Sequence, residues 1–107
     1  MSMDMSKLMQ QMSEMQQQMR QAQDELAKET VEASAGGGMV TVTANGAGQI
    51  QQIKIDPKAI DPNDPELLAD MILAAVNEAI RSAQGLAETK LGGLAGGALG
   101  GLGLPGF

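Results

Sequence analysis

Met5, Leu8, Met12, Met15, Met19, Ala22 and Leu26 follow one another at intervals of 3, 4, 3, 4, 3 and 4 residues. This is the a/d spacing of a heptad, held for three heptads, and it dictates an amphipathic helix rather than a strand or a loop. Gln10, Gln11, Gln16, Gln17, Gln18, Gln21 and Gln23 fill the other faces, and neither Gly nor Pro interrupts. The Asp4 carboxylate is placed to accept from the free N–H groups of the first turn. A helix over residues 5–28 is about 36 Å long. Its stripe is narrow and mostly Met, a flexible side chain suited to an adaptable helix–helix seam. Three packings satisfy such a stripe: on the chain's own domain, on another chain, or as an arm only partly packed.

From Thr30 the period changes to two. Residues 30–34 form a short candidate strand, and Gly36-Gly37-Gly38 breaks the chain. Residues 39–44 alternate, with Val40, Val42 and Ala44 on one face and Thr41 and Thr43 on the other. Asn45-Gly46 signals a hairpin, because both residues tolerate the positive φ of tight turns, and Gly48 extends it. The return strand covers residues 49–55, with Ile53 and Ile55 on a common face. Asp56-Pro57 ends the meander, and Asp61-Pro62-Asn63-Asp64-Pro65 leads into a second helix, capped by Asp64 and opened by Pro65. That helix is expected over residues 65–88. Its apolar stripe is wide (Leu67, Leu68, Met71, Ile72, Leu73, Ala74, Ala75, Val76, Ala79, Ile80 and Ala83), so one face covers the sheet and another needs a further partner. Gly85 weakens it without necessarily ending it. Residues 92–107, rich in Gly and Leu, read as a flexible tail. The expected architecture is a single α+β domain over residues 1–91, in the order α-β-β-β-α.

Composition limits the chemistry. The 107 residues include no Cys and no His, which excludes disulfides, thiolate nucleophiles, Cys-ligated metals and imidazole bases. With Phe107 as the single aromatic, there is no platform for stacking single-stranded bases. Gly36-Gly37-Gly38 precedes a strand, whereas a phosphate loop follows one and opens a helix, so it reads as an inter-strand linker. Asp56, Asp61, Asp64, Glu66 and Asp70 lack the calcium-loop pattern, and capping accounts for the first three. No enzyme, cofactor, metal or small-molecule substrate is expected. There is no signal-peptide pattern and no membrane-length apolar run, so a cytoplasmic protein is expected.

Seven basic residues face 13 acidic ones, for a net charge of −6. Lys7, Arg20, Lys28, Lys54, Lys58, Arg81 and Lys90 form no cluster, and by charge alone nucleic-acid binding is disfavoured.

The order of the pieces points the other way. The Met/Gln helix with Leu8-Met9 and Ala22-Gln23-Asp24-Glu25-Leu26 is followed by Gly36-Gly37-Gly38-Met39-Val40-Thr41-Val42-Thr43-Ala44-Asn45-Gly46. Then come Ile53-Lys54-Ile55-Asp56-Pro57, the run from Leu68 to Ala79, and the closing Leu104-Pro105-Gly106-Phe107. Together these resemble the YbaB/EbfC family of nucleoid-associated proteins over nearly the whole chain. The resemblance implies a small cytoplasmic homodimer, tweezer-like, with helices as arms around a central β portion. It also implies binding to double-stranded DNA in the nucleoid, altering its conformation, with roles in nucleoid organisation and gene regulation. Thr41, Gln51 and Gln52 stand where similar proteins commonly carry basic residues. Charge alone ranks Lys7 and Arg20, off the apolar stripe, first as DNA contacts, and Lys28, Lys54 and Lys58 next; for each, a solvated surface role stands beside that reading. The alternative function is a homodimeric protein-interaction module without DNA, docking through the Met stripe or the Leu/Gly tail.

Overall fold

The computed structural model describes the backbone of residues 4–101 and the side-chain surroundings of residues 4–93. Helix α1 spans Met5–Lys28, strands β1, β2 and β3 span Thr30–Ala35, Val40–Asn45 and Ile50–Ile55, and helix α2 spans Pro65–Gly101, after a 3-10 turn at Pro57–Ala59. The three strands form one antiparallel meander in the order β1-β2-β3. Every expected element is present, with strand ends within one residue of those expected. Asp4 caps α1 by accepting from the Ser6 and Lys7 N–H groups at 3.1 and 3.3 Å. Asp64 accepts from Leu67 N–H at 3.2 Å at the start of α2. Asp56 and Asp61 likewise accept from Lys58 and Asn63 N–H, both at 2.9 Å, which is the turn chemistry expected of them.

The core is a ladder of small residues. Ala75, Ala79 and Ala83, spaced one turn apart on α2, lie completely buried against Val40, Val42 and Ala44 of β2, with Ala33 of β1 beside them. Four-residue spacing on a helix stacks these methyls on one face, and their small size lets the helix axis approach the sheet closely. Leu68, Met71, Ile72 and Val76 pack partly against this cluster. Helix α2 lies mainly over β1 and β2. Ile53 and Ile55 share the face of Val42 and Val40, their cross-strand partners. Yet Ile53 stays 44% exposed, because α2 does not reach across β3. Leu67 and Leu73 on α2 are exposed too, so the second apolar face of this helix has no cover among the described residues.

Two expectations are corrected. Helix α2 does not end near residue 88 but continues to Gly101, so residues 92–101 are helical backbone rather than the start of a flexible tail; residues 102–107 lie outside the described residues. Its nucleus is already established by packing on the sheet, so each added residue gains one i→i−4 bond without a new nucleation cost. Glycine weakens that gain but keeps its N–H, and no proline intervenes before Pro105. Second, the Asn45-Gly46 hairpin forms for a different reason from the one expected. Neither residue has positive φ; that conformation falls on Gly48, at +84°, and on Gly36, Gly37 and Gly38 in the β1–β2 turn. Gly46 is required by close approach. A Cβ there would lie 2.7 Å from Leu26 Cδ2 and 2.8 Å from the Leu26 carbonyl oxygen.

The chain is elongated, measuring 77 × 27 × 16 Å with a radius of gyration of 20.6 Å, against roughly 13 Å for a compact chain of about 100 residues. The two helices account for the difference. A Gly46→Ala variant forces the β2–β3 turn away from α1 and is expected to lower stability by about 1–3 kcal/mol. Gly85→Ala, where a Cβ meets nothing within 4 Å, is expected to raise it by about 0.5–1 kcal/mol. Urea denaturation midpoints of the two variants check both signs.

Candidate nucleic-acid interface

Asn45 is the polar centre of the fold, 1% exposed. Its Nδ2 donates to the Ala27 carbonyl at 3.1 Å and to Gln49 Oε1 at 2.8 Å, while its Oδ1 accepts from Ala47 and Gln49 N–H at 3.1 and 2.9 Å. The next residue, Gly46, donates its N–H to the Leu26 and Glu29 carbonyls at 2.8 and 3.0 Å. Carbonyls at a helix C-terminus have no intrahelical partner, and here the β2–β3 turn supplies one. The last turn of α1 is thus tied to the sheet by backbone bonds.

From that anchor α1 extends outward, and its apolar stripe is divided. Ala22 and Leu26 are buried, whereas Met5, Leu8, Met12, Met15 and Met19 are exposed, Met5 at 66% and Met12 at 58%. The helix therefore packs on its own domain only at its base. Lys7, Arg20 and Lys28 are exposed along it. Lys28, in the last turn, also suits the negative end of the helix dipole. Over the 21 residues from Lys7 to Lys28 the helix rises about 32 Å.

Lys54 and Lys58 belong to a different place. Lys54 faces away from α2, opposite Thr41 and Ser34 in the strand register. It lines a shallow depression with Gly38, Met39, Thr41, Asp56 and Pro57. Lys58 follows in the 3-10 turn. Both lie toward the Gly36–Gly38 end of the sheet. Lys28 leads into Thr30, paired with Asn45 at the opposite end, a strand length or about 17–20 Å away. The structure thus separates the five candidate cations into three spread along and around α1 and a pair beyond the far end of the sheet. All five are exposed, and among the described residues none is in a salt bridge.

The two cations not chosen from the sequence are the paired ones. Arg81 bonds Glu78 at 3.7 Å along one helix face. Lys90 Nζ sits between Glu25 Oε2 at 2.9 Å and Glu29 Oε1 at 2.7 Å, joining α2 to α1. No local pattern announces this triad, since Lys90 is 61 residues from Glu29. The hydrogen bond and charge of Lys90 hold the Glu25 carboxyl below its ordinary value, and the bonds to Glu29 and Glu25 hold the Lys90 ammonium above its own.

A sequence profile of the YbaB/EbfC DNA-binding family matches residues 1–98, from the start of the arm through the greater part of α2. The chain belongs to the YbaB/EbfC DNA-binding family. It is similar to a nucleoid-associated protein of Moorella thermoacetica, 50% identical over 104 residues that cover 97% of this chain and 96% of that one. A nucleoid-associated protein of Streptomyces avermitilis is 52% identical over 104 residues, covering 97% and 91%. The fold is similar to that of the crystal structure of an uncharacterized protein from Helicobacter pylori, with a TM-score of 0.71 at 26% identity, over 92% of this chain and 99% of that one. The YbaB/EbfC resemblance drawn from Gly36–Gly46 and the Leu68–Ala79 run is therefore correct, and so is the α-β-β-β-α order. No helix among the described residues is long and apolar enough to cross a membrane.

The linkage of the Lys90 triad has a definite sign. Glu25, lowered in the fold, contributes stability above the ordinary carboxylate value of 4.5 and loses it as pH falls through its lowered value. Lys90, raised, contributes below the ordinary amine value of 10.5 and loses it as pH rises through its raised value. The stability difference between the wild-type chain and Lys90→Gln is expected to be small, because the pair is solvent-screened, level between pH 4.5 and 10.5, and smaller still outside that window. Urea midpoints of both proteins across pH measure it.

Proposed function

We propose that this chain is a nucleoid protein of the cytoplasm that binds double-stranded DNA as a homodimer and alters its conformation, acting in nucleoid organisation and gene regulation. The observation that carries this reading is that the cations of α1 are exposed and, among the described residues, free of salt bridges, on a helix of a DNA-binding family. A helix of about 36 Å is close to one turn of duplex, about 34 Å. Lys7, Arg20 and Lys28, about 20 and 12 Å apart along the helix, then meet phosphates at separate points rather than neighbouring base edges. Contacts of that kind position a protein on DNA without reading sequence. Two chains carry twice −6, so binding is local, backbone-directed and steeply weakened by salt.

The dimer is supported by what the single chain leaves uncovered. Ile50 and Ile53 on β3 and Leu67 and Leu73 on α2 are exposed apolar groups flanking a core built largely of alanine and valine. Small cores of this kind are commonly completed by association. An alternative reading as a protein-interaction module is favoured by one feature, the exposed Met5–Met19 stripe, which suits varied partners.

A gel-shift titration on duplex DNA at low and physiological salt separates the two. DNA binding that weakens with salt is expected; no shift at micromolar protein, even at low salt, overturns it, and a protein partner retained after nuclease treatment then favours the interaction module. Lys7→Glu with Arg20→Glu is expected to weaken binding on every duplex and to flatten the salt dependence, the log–log slope falling by roughly one for each phosphate contact removed. Sedimentation is expected to give twice the 11.1 kDa chain mass, and Ile53→Glu, which charges the uncovered face of β3, is expected to shift it to monomer with the helical circular dichroism retained. A stable wild-type monomer rules out the dimer.

A further inference from the structure

Beside the burial of Ala22 and Leu26 at its base, helix α1 is held by two sets of polar ties. At its C-terminus the Leu26, Ala27 and Glu29 carbonyls accept from Gly46 N–H and Asn45 Nδ2, at 2.8, 3.1 and 3.0 Å. These bonds are gathered at one end of a rod. They fix where α1 begins its excursion from the sheet and leave it a pivot.

The second tie is lateral. Lys90, whose side chain is 23% exposed, bridges Glu25 in the last turn of α1 and Glu29, the residue that caps it. Toward the N-terminus from this bridge, Gln18, Gln21 and Ala22 line an open cleft with Glu25, Lys90 and Gly93. Beyond it Met5–Met19 are exposed. From Glu25 to Met5 the arm extends about 30 Å, so a small change of angle at the bridge becomes a large displacement at Lys7.

We propose that Lys90 is the positioning residue of the α1 arm: acting through Glu25 and Glu29, it sets the angle at which Lys7 and Arg20 are presented. A lysine fits this place, because its ammonium is a compact charge with three donors that two carboxylates share. The same ammonium neutralises two acidic groups on a helix that approaches phosphate. Without it Glu25 and Glu29 form a like-charge pair at i,i+4, repelling each other and the duplex. An ion pair this exposed adds little to stability; its effect is direction, because nothing else charged joins the two helices among the described residues. The consequence for DNA rests on the DNA-binding reading above, whereas the arm angle does not.

The chain has no Cys, so cysteines introduced at the exposed positions Gln17 and Gln84 carry spin labels on α1 and α2 alone. Labelled chains are diluted with unlabelled ones, and pulsed electron resonance then reads the distance within one chain. The expected result is one narrow distribution for the parent and for Lys90→Arg. Lys90→Gln is expected to broaden it roughly twofold as the pivot is released. Lys90→Glu combined with Glu25→Lys and Glu29→Lys rebuilds the triad with reversed signs and is expected to restore the narrow distribution, which a loss of folding does not allow. An unchanged distribution in Lys90→Gln, with helical circular dichroism intact, overturns the proposal. On duplex DNA, Lys90→Gln is expected to need roughly three to ten times more protein for half-binding, as two carboxylates are unmasked on the arm; a broadened arm with parent-like affinity overturns the link to DNA. Absence of DNA binding by the parent chain defeats the DNA reading and leaves the distance measurement to decide on the arm.

Discussion

The seal between the β2–β3 turn and the last turn of α1 is the constraint on which this structure depends. Asn45 and Gly46 satisfy helix carbonyls that water or a cap would otherwise serve, and they do so from inside the fold, where an unmet polar group is costly. The Asn45 amide is used at both ends. One side closes the hairpin on Gln49 and the other bonds Ala27, so hairpin and helix are set by a single side chain. Gly46 adds the absence of a Cβ, which lets the turn touch the Leu26 backbone. With that seal in place, α1 leaves the sheet at a defined point and its remaining length stands free.

The core explains why the length stands free. Ala75, Ala79 and Ala83 against Val40, Val42 and Ala44 make a thin layer, close-packed but poor in buried area. Such a layer supports one helix over two strands and no more. The apolar side chains that do not fit it, Ile50 and Ile53 on β3, Leu67 and Leu73 on α2 and the methionines of α1, remain outside. Large exposed apolar groups beside a thin core are what the proposed association would cover. The same economy governs charge. The acidic residues are occupied in part as caps, at Asp4, Asp56, Asp61 and Asp64, and in part around Lys90. This leaves the α1 cations outside the salt bridges although the whole chain is negative.

Much of the fold was legible because its signals are local. The 3-4 spacing from Met5 to Leu26 specifies a helix whatever lies beside it, and the alternation from Val40 to Ala44 specifies a strand. The end of α2 is not legible, for the opposite reason: the Gly-rich segment has poor local propensity, and its helical state is carried on from packing that happens earlier, at Ala75–Ala83. A local rule about φ marks Asn45-Gly46 as a turn, whereas the residue types answer to α1, far away in the chain. Of the candidate site, Lys7, Arg20 and Lys28 could be placed on one helix by counting. Their separation from Lys54 and Lys58 could not, because it follows from which end of the sheet each element joins.

Patterns between neighbours along the chain are enough to specify the class of protein this is. Without Cys, His or more than one aromatic, and with a heptad of Met followed by a short meander and a wide-striped helix, catalysis and metals recede and a small association-prone α+β domain remains. Periodicity and composition are properties of neighbours along the chain, so they survive without three dimensions. Which cations are spoken for follows instead from packing in three dimensions. Lys90 and Lys28 look alike in sequence, yet one is held between Glu25 and Glu29 and the other stands in solvent, because α2 passes beside α1 at the turn that carries both carboxylates. Ion pairing depends on distance through space, and that distance is set by the seal at Asn45 and Gly46 and the alanine ladder beneath α2.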